Sequence, residues 1–172
     1  PKGEKIRWLE IIRGSSLTFL DRGEEAKQHY QNVKKMSHLT SRNIIDNNIG
    51  ELSHLLFIEE IKKADDLAKE TENILNKTYD DFVYPHIVVS LYRLIIALRQ
   101  KANPSTIDRL MREIKMQARA LPADAFYEDM ARAYIAKSKG LATDEMLSRL
   151  KKIMGKGVPA SHRMTKGLAD SW

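Results

Sequence analysis

The chain has 172 residues, 42% of them hydrophobic and 30% charged, a balance that fits a globular protein able to bury its own core. It has no cysteine, which excludes disulfides, thiolate metal sites, thiol nucleophiles and iron–sulfur clusters and leads us to expect a reducing, cytoplasmic setting. Its net charge of +6 is uneven: residues 1–90 hold 13 Lys/Arg against 15 Asp/Glu, whereas residues 91–172 hold 16 against 8.

Strand signals are scarce, since Ile87-Val88-Val89 is the one β-branched run and no Asn-Gly or Asp-Gly hairpin turn occurs. Helical periodicity is dense, so an all-α fold of about seven helices is expected, either a compact multi-helix bundle or an array of helical hairpins. The first helix is predicted over residues 4–13, with Ile6, Leu9 and Ile12, or Trp8 and Ile11, as its apolar side. Gly14-Ser15-Ser16 should end it, and Ile6 to Ile12 is too interrupted by Arg7 and Glu10 to read as a signal peptide. Asp21 followed by Glu24 resembles a capping box opening a second helix, whose face is Ala26, Tyr30 and Val33.

Thr40 or Ser41 caps a third segment, which Asn47-Asn48-Ile49-Gly50 is expected to break into two pieces, with one long helix as the alternative. Residues 51–77 then form a long helix in which Phe57, Ile61, Ala64, Ala68, Thr71 and Leu75 draw one seam. Residues 82–98 are apolar apart from His86, Ser90 and Arg93. At 17 residues, with Arg93 near the middle, the run is too short and too charged to span a bilayer. It predicts the central, most buried helix, over residues 85–101, with Pro85 in its first turn.

Asn103-Pro104 caps and opens a helix to Ala120 with Ile107, Leu110, Met111, Ile114 and Ala118 inward. A further helix over residues 123–138 presents Phe126, Met130, Ala131, Tyr134 and Ile135, and Gly140 closes it. A last helix is predicted over residues 144–154. The order Phe126, Ala131, Tyr134, Gly140 and Leu147 resembles one tetratricopeptide unit, but the upstream helices share neither its length nor its pattern. A generic helical hairpin is therefore the reading. The expected organisation is one all-α domain over residues 1–155 and a flexible basic tail over 156–172, extended because two glycines and Pro159 punctuate it.

No catalytic or metal-binding constellation emerges. His29, His38, His54, His86 and His162 are never three or four residues apart, so no helix face presents two imidazoles to a metal. The acidic residues from Glu59 to Glu72 are interleaved by Lys62, Lys63 and Lys69 and read as a salt-bridged surface. No phosphate loop, nucleophile elbow or cofactor fingerprint is found, so neither catalytic residues, metal nor cofactor are assigned.

Chemistry is suggested instead by cations. Arg109, Arg112, Lys115 and Arg119 follow one another at helical spacing, and Arg132 lies on the next helix. Residues 146–169 contain Arg149, Lys151, Lys152, Lys156, Arg163 and Lys166 without one acid. Uncompensated charge of this kind is met by salt, water or an anionic partner. Arg109, Arg112, Lys115, Arg119, Arg132, Arg149, Lys151 and Lys152 form the candidate surface for that partner. Lys156, Arg163, Lys166 and Trp172 are candidate tail contacts.

Two functions are weighed. The first is a non-enzymatic interaction module, an adaptor, scaffold or subunit with a protein partner. The second is nucleic-acid binding, with residues 104–166 contacting phosphates. A helix-turn-helix made of the last two helices is a narrower form of the second. A membrane-surface role is disfavoured, because Gly157, Pro159 and Gly167 interrupt any wide apolar face in the tail.

Overall fold

The computed structural model describes residues 2–78, 83–120 and 124–141, with Asp144 and Ser148 as isolated positions. Among these residues there are seven α-helices and no strand: α1 Lys2–Phe19, α2 Gly23–Lys34, α3 Ser41–Phe57, α4 Ile61–Lys77, α5 Val83–Arg99, α6 Pro104–Ala118 and α7 Asp124–Ser138. The protein is an all-α multi-helix bundle. It divides into two compact units, Pro1–Asp80 and Asp81–Trp172. Of the predicted helix over residues 144–154 only Asp144 and Ser148 are described; the rest of it and the tail over 156–172 lie outside the described residues.

In the first unit, α1 packs on α2 and α3, and α3 packs on α4. The predicted end at Gly14-Ser15-Ser16 is wrong, because α1 runs on to Phe19. Two of the supposed breakers are satisfied within the helix or against its neighbours. Ser15 Oγ donates to the Ile11 carbonyl at 2.9 Å and Thr18 Oγ1 to the Gly14 carbonyl at 3.0 Å. Gly14 is buried against the ring of Tyr30 on α2. Neither predicted apolar stripe of α1 is buried as a whole. Ile11 turns inward with Ser15 and Thr18, while Ile6, Trp8, Leu9 and Ile12 stay half exposed.

The capping box expected at Asp21 does not form. Asp21 has φ 57°, and the residue before α2 is Arg22, whose side chain makes no capping bond. The face of α2 is as the periodicity indicated, with Ala26, Tyr30 and Val33 fully buried. Thr40 caps α3 reciprocally: its Oγ1 accepts from the Asn43 N–H and Asn43 Oδ1 accepts from the Thr40 N–H, both at 3.2 Å.

The break expected at residues 47–50 is also absent, because α3 is continuous to Phe57. Asn47 and Asn48 are buried, and their amides find tertiary partners. Asn47 Nδ2 donates to the Tyr30 carbonyl at 3.4 Å and Asn48 Nδ2 to Thr71 Oγ1 on α4 at 3.1 Å. The chain breaks instead at residues 58–60, so the long helix predicted over 51–77 is split between α3 and α4. From Ala64 onward the predicted seam holds, with Ala64, Ala68, Thr71 and Leu75 buried beside Leu67.

In the second unit, α5, α6 and α7 pack pairwise. Ile87, Val88, Val89, Leu91, Tyr92, Leu94, Ile95 and Ile96 are all at most 2% exposed, so α5 is buried on nearly every side. Among the described residues, no helix is long and apolar enough to cross a membrane. Leu110, Ile114 and Ala118 of α6 and Phe126, Tyr127, Met130, Ala131 and Tyr134 of α7 complete the core. Tyr84 meets Tyr127 edge-on, with ring centroids 6.4 Å apart, which ties α5 to α7.

Four helices end in the same backbone motif. After α1, α3, α5 and α7 a residue takes a left-handed conformation, at Asp21, Glu59, Lys101 and Gly140. The N–H that follows each one reaches back five residues, to Leu17, Leu55, Ala97 and Ala136, at 2.9–3.0 Å. This is the Schellman arrangement, which satisfies carbonyls left open by the last turn. Only one of the four uses glycine.

Candidate functional site

Among the described residues, a concave surface rich in cations lies in the second unit, between α6 and α7. Asn103 positions α6: its Oδ1 accepts from the Thr106 N–H at 2.9 Å, and Pro104 occupies the first turn. With Leu110, Ile114 and Ala118 fixed inward, Arg112 and Lys115 are left on the exposed side and Met111 at its margin. On α7 the burial of Met130, Ala131 and Tyr134 leaves Arg132 exposed and Ile135 partly buried. Gly140, at φ 67°, then turns the chain so that Lys139 and Leu141 close the far end.

The resulting groove is shallow and open to solvent, has a volume of about 410 Å³ and is lined by Met111, Arg112, Lys115, Arg132, Ile135, Ala136, Lys139 and Leu141. Four of these side chains are apolar and four are cationic. None is acidic. Such a lining can accept a ligand that offers apolar groups to the floor and negative charge to the rim.

One acid sits beside it. Glu128 accepts two bonds from Arg132, at 2.6 Å from Nη2 and 3.2 Å from Nε. Its carboxyl is held below the ordinary carboxylate range, first by the Arg132 hydrogen bond and further by the charges of Arg132, Lys115 and Arg119, against an opposing effect of burial. Glu128 therefore stays ionised and partly neutralises this end of the groove. Arg112 and Lys139 make no ion pair with a described residue.

The cations singled out from the sequence are sorted by this geometry. Arg112, Lys115 and Arg132 line the groove together. Arg119 is exposed and near enough to Glu128 to act on its charge. Arg109 is not part of the lining, and pairs with Glu113 one turn along α6. Arg149, Lys151, Lys152, Lys156, Arg163, Lys166 and Trp172 lie outside the described residues, as does the second helix of the helix-turn-helix considered above. Lys139 was included only within the basic stretch 104–166 and Leu141 not at all, because their place in the groove depends on the turn at Gly140. Met111 and Ile135 were read as core and instead form part of an open floor.

The titratable groups elsewhere are arranged differently. His54 is 2% exposed in the core of the first unit, with Thr18 Oγ1 at 3.3 Å from Nδ1 and the Tyr30 ring 6.1 Å away. Thr18 gives its only proton to the Gly14 carbonyl, so His54 Nδ1–H must donate to Thr18 and Nε2 carries no proton. Burial pushes the pKa of His54 down, so the imidazole is neutral at pH 7. Glu59 is exposed and His86 partly exposed. Among the described residues, no three His, Asp or Glu side chains could hold a metal ion.

No protein-family model, no curated protein and no solved structure matches the chain.

Proposed function

We propose that the chain is a helical interaction module, and that the α6–α7 groove takes up an acidic, amphipathic segment of a protein partner. The supporting observation is the pairing of apolar and cationic groups in one groove: partly buried Met111 and Ile135 and buried Ala136, with exposed Leu141, beside Arg112, Lys115, Arg132 and Lys139. A helix carrying leucine-like residues at i, i+3 and i+4, with carboxylates beside them, satisfies both halves at once. A phosphate backbone would meet only the rim and leave the apolar floor uncovered. Arg109 and Arg132, two cations a phosphate tract would use, already have carboxylate partners in Glu113 and Glu128. A cytoplasmic location, suggested by the lack of cysteine, and a tethering role for residues 156–172 belong to the same proposal.

Nucleic-acid binding remains the competing reading, favoured by the exposed sequence of Arg112, Lys115 and Arg119 along α6. The experiment compares three fluorescent probes: an acidic amphipathic helical peptide, a generic DNA duplex and a generic single strand. Each is titrated with the full chain between roughly 50 and 200 mM salt. The peptide should bind, and the double substitution Arg112→Glu with Lys139→Glu should weaken it about tenfold or more, a loss of about 1.4 kcal/mol. Binding of the duplex or the single strand with a steep salt dependence, and no binding of the peptide, would transfer the surface to nucleic acid.

A further inference from the structure

The first unit carries an exposed apolar face that its own helices do not cover. On α1, Ile11, Gly14, Ser15 and Thr18 are buried, while Trp8, Leu9 and Ile12 are each 50% exposed and Ile6 is 52% exposed. Leu20, just past the end of the helix, is 65% exposed. At 100° per residue, Trp8, Ile12, Lys5, Ser16, Leu9, Arg13 and Ile6 follow one another around a single arc opposite Ile11 and Thr18. Solvent-facing groups in this number along one helix mark an interaction surface rather than scattered apolar residues.

Charge is segregated across the same helix. Glu10 turns toward α2, where it accepts from His29 Nδ1 at 2.8 Å and Asn32 Nδ2 at 3.4 Å. Lys5 and Arg13 lie on the exposed arc, and Arg13 reaches Glu10 only at 3.4 Å with 62% of its side chain exposed. The open face is therefore apolar and positive.

We infer that this face of α1 is a docking site for one amphipathic helix of a partner protein, whose carboxylates flank an apolar stripe and meet Lys5 and Arg13. A second copy of the chain is disfavoured by register. A two-fold antiparallel pairing centred on Leu9 would set Lys5 of each copy against Arg13 of the other, bringing like charges together. An anionic bilayer is disfavoured by depth, since an in-plane helix sinks its apolar side chains about 5–10 Å into the interface. Here Lys5, Arg13 and Ser16 lie within the same arc and would have to enter with the apolar groups. A partner helix instead packs ridge into groove at an axis separation of about 8–10 Å and can set carboxylates against those cations.

The test uses the full chain with Trp172→Phe, so that Trp8 alone reports, and with Arg112→Glu and Lys139→Glu to silence the α6–α7 groove. The probe is a displayed library of helical peptides with leucines fixed at i, i+3, i+4 and i+7 and flanking positions drawn from Glu, Gln and Lys. Selection should enrich Glu over Lys at the flanks. The enriched peptide should shift Trp8 emission to the blue, and Lys5→Glu with Arg13→Glu, both surface changes, should reverse the preference to Lys. No enrichment, or the same preference on both proteins, would overturn the inference. So would a Trp8 shift produced by phosphatidylserine vesicles or by self-association, but not by the peptide.

Discussion

Gly14 on α1 sits against the ring of Tyr30 on α2 so closely that a Cβ on Gly14 would stand 2.8 Å from Tyr30 Cε1. Tyr30 is fully buried and cannot swing aside. Gly14→Ala should therefore destabilise the protein by about 1–2 kcal/mol, overpacking outweighing the roughly 1 kcal/mol that alanine gains within a helix. In a Tyr30→Leu background the same substitution should be neutral or mildly stabilising. Urea unfolding of the four proteins measures both, and a uniform effect of Gly14→Ala in the two backgrounds would contradict the contact.

Thr71 Oγ1 accepts from Asn48 Nδ2 at 3.1 Å and donates to the Leu67 carbonyl at 2.7 Å, and both side chains are buried. Thr71→Val keeps the shape but strands the Asn48 amide, and should cost about 1–3 kcal/mol. Adding Asn48→Leu should recover part of that loss, since apolar replacement of both partners removes the desolvation problem. The double-mutant cycle reads the coupling directly.

His54 predicts how stability follows pH. Its folded pKa lies below the ordinary value of about 6.5, because burial outweighs the opposing charges of Glu51 and Glu24. Between the two values the unfolded chain binds a proton that the folded chain does not, so stability falls as pH falls through about 6.5 and levels off below the folded pKa. His54→Gln should flatten this slope. Glu10 acts in a lower window. Its carboxyl is drawn below the ordinary range by the His29 hydrogen bond, with burial opposing, so its contribution is lost as pH drops below about 4.3. Unfolding midpoints from pH 8 to 3.5 should show both steps.

Lys101 holds φ 53° at the end of α5 and is exposed. A side chain in this conformation costs about 1 kcal/mol that glycine avoids. Lys101→Gly should thus raise stability by a few tenths to about 1 kcal/mol, the remainder going to the greater freedom of the unfolded chain. Gly140→Ala should do the reverse, although no atom lies within 4 Å of the added methyl. Thermal unfolding followed by circular dichroism distinguishes the two signs.

What the sequence makes legible is what one helix decides alone. The face of α2, the Leu110, Ile114 and Ala118 side of α6, the caps at Thr40 and Asn103 and the stop at Gly140 all follow from spacing and local hydrogen bonding. Misreadings arise where tertiary contacts overrule local chemistry. Gly14 and Asn47-Asn48 look like breakers until Tyr30 and Thr71 are beside them. The true end of α3 is hidden because Glu59, not glycine, adopts the left-handed turn. The groove is half legible for the same reason: helical spacing groups Arg112 with Lys115, but the apolar floor needs α7 beside α6.

The pairing of Glu128 with Arg132 has a further consequence. Lys115 nearby holds no ion pair with a described residue, whereas a carboxylate arriving at Arg132 finds that cation occupied and must displace a resident counter-ion. Binding there is an exchange of one acid for another, so a single negative charge on a ligand gains little from Arg132. Arg112 and Lys139 hold no such competitor among the described residues. On the proposed reading, the first acid of a ligand is therefore met by these cations rather than by Arg132. If the groove takes up an acidic segment as proposed, ligands with two carboxylates would be favoured over those with one, and specificity would come from spacing as well as from charge.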